Sequence, residues 1–112
     1  MCDNIKGNCV QRIGILFRLK PGTKEEYRKR HDHIWQEVRD VLTQAGIHNY
    51  SIWNHDEILF AYFETEDLEK AQRTMDSSEI FQKWRKYMED VVLVDPASGQ
   101  KEYFMEQVFY HA

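Results

Sequence analysis

His31 is the residue best suited to proton chemistry in this sequence. It follows Tyr27 by four residues, and on a helix this spacing points the two side chains in the same direction. An imidazole with an ordinary pKa of about 6.5 can give or take a proton near neutral pH. A core histidine that bonds to a backbone carbonyl, beside a boundary tyrosine, fits the same spacing, and the spacing alone favours that structural role.

A histidine cluster that binds a metal ion is not predicted, although the sequence has 5 histidines. His31 and His33 are two residues apart on a predicted helix, so their side chains point roughly 200° from each other and cannot share an ion. The other three, His48, His55 and His111, are isolated from one another, and no cysteine pair stands near them. We therefore expect no metal site.

Several aromatic residues carry a polar group that suits contact with a sugar: Tyr50, Trp53, Trp84 and Tyr87. A ring packs against the C–H face of a sugar, while its N–H or O–H reaches the hydroxyls. Taken singly, each of these residues is also ordinary core or interface material. Arg30, beside the candidate histidine, lies on a solvated face or reaches a substrate oxygen.

Length and composition indicate one small soluble domain that binds neither nucleic acid nor membrane. The chain has 112 residues and a net charge of −4, from 15 basic and 19 acidic side chains, whereas nucleic-acid binders carry a basic face. No apolar run approaches the roughly 20 residues of a membrane span. Cys2 and Cys9 form no disulfide framework and no secretory leader is visible, so we expect a cytoplasmic location, with residues 1–9 as an extension to a single domain at 10–112.

The elements that position these residues follow from the periodicity of apolar side chains. Residues 10–19 alternate as a strand does, and Thr23 to Glu26 is typical of a capping box that starts a helix. The apolar stripe predicts one helix from there to about Ala45, ended by Gly46 in a left-handed conformation.

The second half of the chain predicts a hairpin, two helical pieces and a last strand. Strands at residues 49–53 and 58–63 are joined by a loop of about four residues. Helices follow at 66–76 and 79–91, with a capping serine between them, and a strand at about 101–110 closes the chain. The order β-α-β-β-α-β predicts an α+β, ferredoxin-like domain with an antiparallel sheet.

Both faces of this predicted sheet need cover. The third strand carries apolar side chains on its two sides, with Ile58, Phe60 and Tyr62 on one and Leu59, Ala61 and Phe63 on the other. The last strand does the same, with Tyr103, Met105 and Phe109 on one side and Phe104, Val108 and Tyr110 on the other. Helices cover only one face, and an exposed apolar patch of this extent implies a partner. We expect a homodimer joined sheet to sheet.

A string of motifs resembles the L-rhamnose mutarotase family. Residues 25–31 followed by Ile34-Trp35 are similar to the family pattern E-E-Y-x-x-R-H-x-x-I-W. The similarity continues through residues 46–52, 59–61, 84–88 and 107–110 in the family's order and near its spacing. It therefore covers nearly the whole chain.

The resemblance implies an isomerase that interconverts the α and β anomers of a 6-deoxy-L-hexose, most simply L-rhamnose. It implies ferredoxin-like subunits paired in a dimeric α/β barrel, with a monosaccharide substrate and no cofactor or metal. The family's proton donor corresponds to His31, and its substrate-binding tyrosines correspond to Tyr27 and Tyr50. Trp84 matches the first of two adjacent tryptophans that contact the sugar, and Arg85 stands at the substrate-binding position of the second.

Arg85 is the main departure from the family pattern, since a guanidinium replaces a flat apolar ring. It leaves an L-fucose mutarotase as an alternative to the L-rhamnose enzyme. A further alternative is a non-catalytic domain that binds a small ligand on the same scaffold, because one scaffold hosts many activities. The base that complements the proton donor is a bound water or a carboxylate of the partner subunit.

Overall fold

The computed structural model describes residues 10–112, so the predicted extension at residues 1–9, with Cys2 and Cys9, lies outside the described residues. Eight elements follow in chain order: β1 (Gln11–Arg18), α1 (Lys24–Asp32), α2 (Gln36–Gln44), β2 (His48–His55), β3 (Ile58–Thr65), α3 (Leu68–Asp76), α4 (Glu79–Met88) and β4 (Glu102–Met105).

The four strands form one antiparallel sheet in the order β2-β3-β1-β4. One face is buried, with Ile13 and Ile15 of β1 beside Ala61 and Phe63 of β3 in the core that Ala71 of α3 joins. This face is called the helix-covered face below. The predicted α+β fold, with its antiparallel sheet and ferredoxin-like strand order, is confirmed.

The single long helix predicted after the first strand is wrong, because the structure has two. Trp35 between them is extended, with φ −66° and ψ 137°. Its ring packs 5.2 Å from the ring of Trp84 and 5.4 Å from that of Tyr87, measured between centroids. The apolar stripe continues through the break, so the pattern alone contained no sign of it; the tertiary contacts of one side chain hold the turn.

The predicted ends of the helices are partly right. Gly46 follows α2 with φ +78°, and Ser78 caps α4 by accepting from the Phe81 amide. The capping box at Thr23 is wrong, because the Thr23 hydroxyl donates instead to the Lys20 carbonyl at 2.7 Å. That bond ties the start of α1 to the preceding turn.

The hairpin strands are longer than predicted and the last strand is shorter. Only Asp56 and Glu57 separate β2 from β3, and Asp56 takes φ +53° to close this tight loop. β4 pairs with β1 only as far as Met105, after which the chain leaves the sheet and the Tyr110 ring covers the Arg12 guanidinium at 3.8 Å.

The other face of the sheet carries large side chains that the described residues leave uncovered. Register places Leu16, Trp53, Phe60, Tyr62 and Met105 on this side, which is called the open face below. Trp53 is 68% exposed and Phe60 is 42% exposed. Within residues 10–112, no helix has the length and apolar character needed to cross a membrane.

Candidate active site

A cleft of about 1140 Å³, open to solvent, lies among α1, α2, α4 and the hairpin of β2 and β3. Four of the five predicted site residues line it: Tyr27, His31, Tyr50 and Trp84. Residues that are 57 positions apart in the sequence therefore meet at one place.

An aromatic stack forms the inner wall of the cleft. The His31 ring stacks on the Tyr27 ring, with centroids 4.4 Å apart and planes at 30°. The Trp84 ring also contacts the imidazole, in an edge-to-face arrangement with centroids 5.5 Å apart and planes at 84°. Tyr27 also contacts Phe17 of β1 at 6.2 Å. The spacing of four residues on α1 thus produces the shared direction that it predicted, and contacts with two aromatic rings orient the imidazole.

One hydrogen bond determines which nitrogen of His31 carries the proton. Nδ1 lies 3.2 Å from the Tyr27 carbonyl oxygen, and since a carbonyl only accepts, Nδ1 is the donor. Nε2 makes no hydrogen bond within residues 10–112, and it is not a buried atom lacking a partner. Nε2 of the neutral ring therefore has a free lone pair that is accessible from the cleft.

Burial lowers the pKa of His31 below its ordinary value of 6.5, while the hydrogen bond to the Tyr27 carbonyl and the charge of Asp32 oppose this shift. The imidazole is consequently neutral at pH 7 and able to accept a proton. Burial also raises the pKa of Tyr27, and the nearby Tyr50 adds to that rise. Both phenols keep their protons at neutral pH, so each can donate a hydrogen bond.

Tyr50 reaches the cleft from β2, on the opposite wall from α1. Its ring lies 5.6 Å from the ring of Phe63 on the neighbouring strand. Desolvation raises the pKa of Tyr50 to about 12, and the negative charge of Glu102 adds to the rise. A β-bulge interrupts β2 between His48 and Ser51, immediately around this residue. The sequence pattern predicted a regular strand here and gave no indication of the bulge.

Trp84 lies at the bottom of the cleft and is only 7% exposed. Its ring meets Trp35 at 5.2 Å and Tyr87 at 5.7 Å, besides the edge contact with the histidine. The extended residue between α1 and α2 therefore connects directly to the ring that supports His31.

The two candidate arginines are held away from the cleft lining. Arg85 donates from Nη1 to Asp76 Oδ1 at 2.7 Å, and its guanidinium lies 4.9 Å from the centre of the Phe81 ring. Arg30 bonds at 2.7 Å to each of Glu26, Asp90 and the Tyr87 carbonyl. The suggestion that Arg30 reaches a substrate oxygen is not supported, because these partners engage its guanidinium.

Charged residues on the rim were missed by the sequence reasoning. Glu25, Arg28 and Asp32 line the cleft together with the predicted residues of α1. They follow one another at three and four positions, which is helical spacing, so the pattern could have found them. Among residues 10–112, no three His, Cys, Asp or Glu side chains come together as a metal site.

Comparison with known proteins relates nearly the whole chain to one family. The family model described as L-rhamnose mutarotase matches residues 12–111. L-rhamnose mutarotase of Listeria monocytogenes is 38% identical over 105 residues, which are 92% of this chain and 100% of the relative. L-rhamnose mutarotase of Phocaeicola vulgatus is 40% identical over 103 residues, or 90% of this chain and 98% of the relative.

Solved structures agree with this relation. The crystal structure of L-rhamnose mutarotase from Formosa agariphila superposes with a TM-score of 0.77 at 29% identity, covering 91% of this chain and 99% of that one. A NIPSNAP-like domain protein from Burkholderia xenovorans superposes with a TM-score of 0.59 at 12% identity, over 92% and 90% of the two chains. The second match supports the fold alone.

Proposed function

The chain belongs to the L-rhamnose mutarotase family, and we propose that it interconverts the α and β anomers of L-rhamnose through ring opening by His31. The chain is thus an isomerase of the mutarotase type by homology. The observation that carries the proposed mechanism is the state of His31, whose Nδ1 is bound to the Tyr27 carbonyl while Nε2 is accessible from the cleft.

Mutarotation requires that one oxygen on C1 loses a proton while the other gains one. In the proposed step, Nε2 of His31 accepts the proton of the anomeric hydroxyl, the bond between C1 and the ring oxygen breaks, and a carbonyl forms at C1. The same nitrogen then donates that proton to the ring oxygen. Both oxygens are attached to C1, so a single imidazole can reach them in turn, and His31 is the proton donor without a second residue as base.

Ring closure reverses these events on the other face of the carbonyl. The C1 carbonyl first rotates about the C1–C2 bond, and attack by the ring hydroxyl from the opposite side gives the other anomer. A positioned acid–base group typically contributes about 10²–10⁴-fold to such proton transfers. The cleft contributes further by holding the open chain close to the conformation that closes again.

Two tyrosines and one tryptophan are proposed to bind the sugar. Burial keeps the phenol of Tyr27 protonated, and the same holds for Tyr50 across the cleft, so each can donate to a sugar oxygen. The Trp84 ring lies beside His31 and lines the cleft, where an aromatic surface suits the C–H face of a sugar or its methyl group.

Arg85 is not proposed to contact the sugar, although it occupies the position of a sugar-contacting tryptophan in the family. Its ion pair with Asp76 lies outside the cleft lining. Because the residue that departs from the family pattern does not line the cleft, it gives no reason to prefer another sugar. We therefore propose L-rhamnose as the substrate, with L-fucose as the alternative to be measured.

A homodimer is also proposed, formed through the open face. Trp53, Phe60 and Met105 are exposed there at 68%, 42% and 41%. Side chains of this size on one sheet face suit burial against a second copy of the same face.

Saturation-transfer NMR on the anomeric protons tests the activity. L-Rhamnose and L-fucose are compared with and without a trace of the protein, and we expect faster exchange for L-rhamnose. Faster exchange for L-fucose alone would change the assigned substrate. A different result would favour the non-catalytic binding domain. In that case the protein broadens the resonances of L-rhamnose, an excess of the sugar removes the broadening, and neither sugar exchanges faster.

A further inference from the structure

Ile47 and Tyr50 both face the helices, although they are three residues apart. Side chains alternate along a regular strand, so residues separated by three should lie on opposite faces. Ile47 is nevertheless buried in the core at 7% exposure, and Tyr50 packs against Phe63, which belongs to the same core. Something between the two residues must reverse the alternation.

The reversal occurs at Asn49. His48 pairs with Glu64 and Ser51 pairs with Tyr62, so Asn49 and Tyr50 together stand opposite Phe63 alone. Asn49 has φ +50°, in the left-handed region that asparagine tolerates far better than bulky or β-branched residues. One extra residue in this conformation defines a bulge, which turns the following side chain to the other face.

Side-chain hydrogen bonds hold the bulge on the open side of the sheet. Asn49 Nδ2 donates to Glu64 Oε1 at 2.9 Å. The other oxygen of the same carboxylate, Oε2, accepts from the Tyr62 hydroxyl at 2.7 Å. Glu64 is therefore fixed by two donors, and it fixes the asparagine in turn.

We propose that Asn49 is a positioning residue for Tyr50, because its left-handed backbone and its bond to Glu64 hold the bulge that directs Tyr50 into the cleft. The inference rests on the proposed function in one respect, namely that Tyr50 contacts the sugar. Its structural half, the direction of the Tyr50 ring, does not depend on the substrate.

Loss of the bulge displaces Tyr50 rather than Ile47. Both flanks of the bulge are fixed, since Ile47 is buried in the core and Ser51 stays in register opposite Tyr62, with Ile52 packed against the core behind it. A change of the backbone at Asn49 must therefore be absorbed by Asn49 and Tyr50 themselves. Ile47 is buried in the core, whereas Tyr50 is 43% exposed, so moving Tyr50 sacrifices less buried apolar surface. The fold is thus retained and the sugar contact is lost.

Two substitutions at the same position test the proposal. Asn49→Gly keeps access to positive φ and removes only the side chain, whereas Asn49→Val opposes positive φ. We expect Asn49→Val to raise the KM for L-rhamnose about tenfold and to leave kcat within about twofold, and Asn49→Gly to stay within about threefold in both. Exchange rates are measured by saturation transfer over a series of sugar concentrations.

A second readout follows the Tyr50 ring itself. Nuclear Overhauser contacts between the rings of Tyr50 and Phe63 should persist in Asn49→Gly and disappear in Asn49→Val. If neither sugar exchanges with the unmodified protein, the proposed function fails while this contact still tests the positioning. If the valine variant does not fold, Asn49→Ala replaces it, with a smaller change expected in the same direction.

Two results would overturn the inference. In the first, Asn49→Val keeps both the ring contact and the KM, which would show that the bulge does not need asparagine. In the second, glycine and valine raise KM equally while both keep the ring contact, which would assign Asn49 a role other than positioning.

Discussion

The two faces of the sheet differ in what the chain provides for them. On the helix-covered face, Ile15 and Ala61 lie in a closed core, and the imidazole in the cleft beside it packs against two aromatic rings. On the open face, Leu16 and Phe60 belong to the same two strands, yet Phe60 is 42% exposed with no cover from the described residues. This contrast underlies two of the proposals, namely that the reaction takes place in the cleft beside the helix-covered face and that the open face is buried against a second copy of the chain.

The largest effect is expected from His31→Ala, which removes the proton-transferring group of the helix-covered side. Catalysed exchange of L-rhamnose anomers should fall by about 10²–10⁴-fold, with the oligomeric state unchanged. Saturation-transfer NMR measures the exchange, and circular dichroism checks the fold.

His33→Ala is a matched control for that variant. His33 Nδ1 lies 3.0 Å from the carbonyl of the residue four positions before it, as His31 does, but His33 is exposed and does not line the cleft. It should keep its exchange rate within about twofold. Undiminished exchange in a folded His31→Ala protein would contradict the proposed mechanism.

A substitution on the open face should change the oligomeric state and leave the exchange rate nearly unchanged. Phe60→Asp places a charge where an apolar contact is proposed, so the dimer should weaken by about a hundredfold or more. Sedimentation velocity is expected to show mass near 13.5 kDa instead of twice that value. Lys83→Asp, exposed on α4, is the control for adding an acidic side chain elsewhere.

Exchange by the dissociated Phe60→Asp protein sharpens the contrast. We expect it to stay within about threefold of the unmodified chain, because Phe60 itself does not line the cleft. A monomer that folds but does not exchange anomers would show that the partner supplies part of the site. An unmodified chain that sediments at 13.5 kDa at every concentration would contradict the homodimer.

Periodicity predicted this contrast between faces better than it predicted the site. The alternation placed Leu59 and Phe60 on opposite faces of the sheet, and in the structure Leu59 lies in the core while Phe60 lies on the open face. Alternation depends on the backbone alone, so it can be recognised in a sequence. The motif resemblance, and the spacing of Tyr27 and His31, located four residues that meet in the cleft.

The remaining features depend on contacts between distant residues, which periodicity does not record. The break before Trp35 is held by rings of α4, and the bulge at Asn49 is held by a carboxylate of the neighbouring strand. Arg85 was expected at the substrate because of its position in a motif, but its partner Asp76 lies nine residues earlier at the end of α3. Each case needs the tertiary structure before it can be seen.

The pH dependence of exchange tests the role of His31 without a substitution. Burial lowers the pKa of His31, so the imidazole stays neutral down to a pH below 6.5 and is protonated only under more acid conditions. If Nε2 must begin unprotonated, kcat/KM should be level above pH 6.5 and then decline on the acid side, approaching about tenfold per pH unit.

The profile is measured from pH 5 to 8 with the spontaneous exchange subtracted. Folding stability should decline as the pH falls from about 6.5 towards the lowered pKa of His31, because between these two values the unfolded chain binds that proton more readily than the folded one. The His33→Ala protein should keep the same profile. A rate that rises toward acid pH would instead show that the protonated imidazole begins the reaction.

The smallest effect is expected from Arg85→Trp, which restores the ring that the family pattern has at this position. Because the guanidinium bonds to Asp76 outside the cleft lining, kcat/KM for L-rhamnose should change by less than about twofold, and the ratio to L-fucose should stay equally constant. Loss of this exposed ion pair should cost at most about 1 kcal/mol of stability.

Trp84→Phe, the neighbouring substitution within the cleft, should lower kcat/KM more. A tenfold change in the sugar ratio with Arg85→Trp would place residue 85 in contact with the substrate, and the boundary of the site would then extend along α4 to the end of α3.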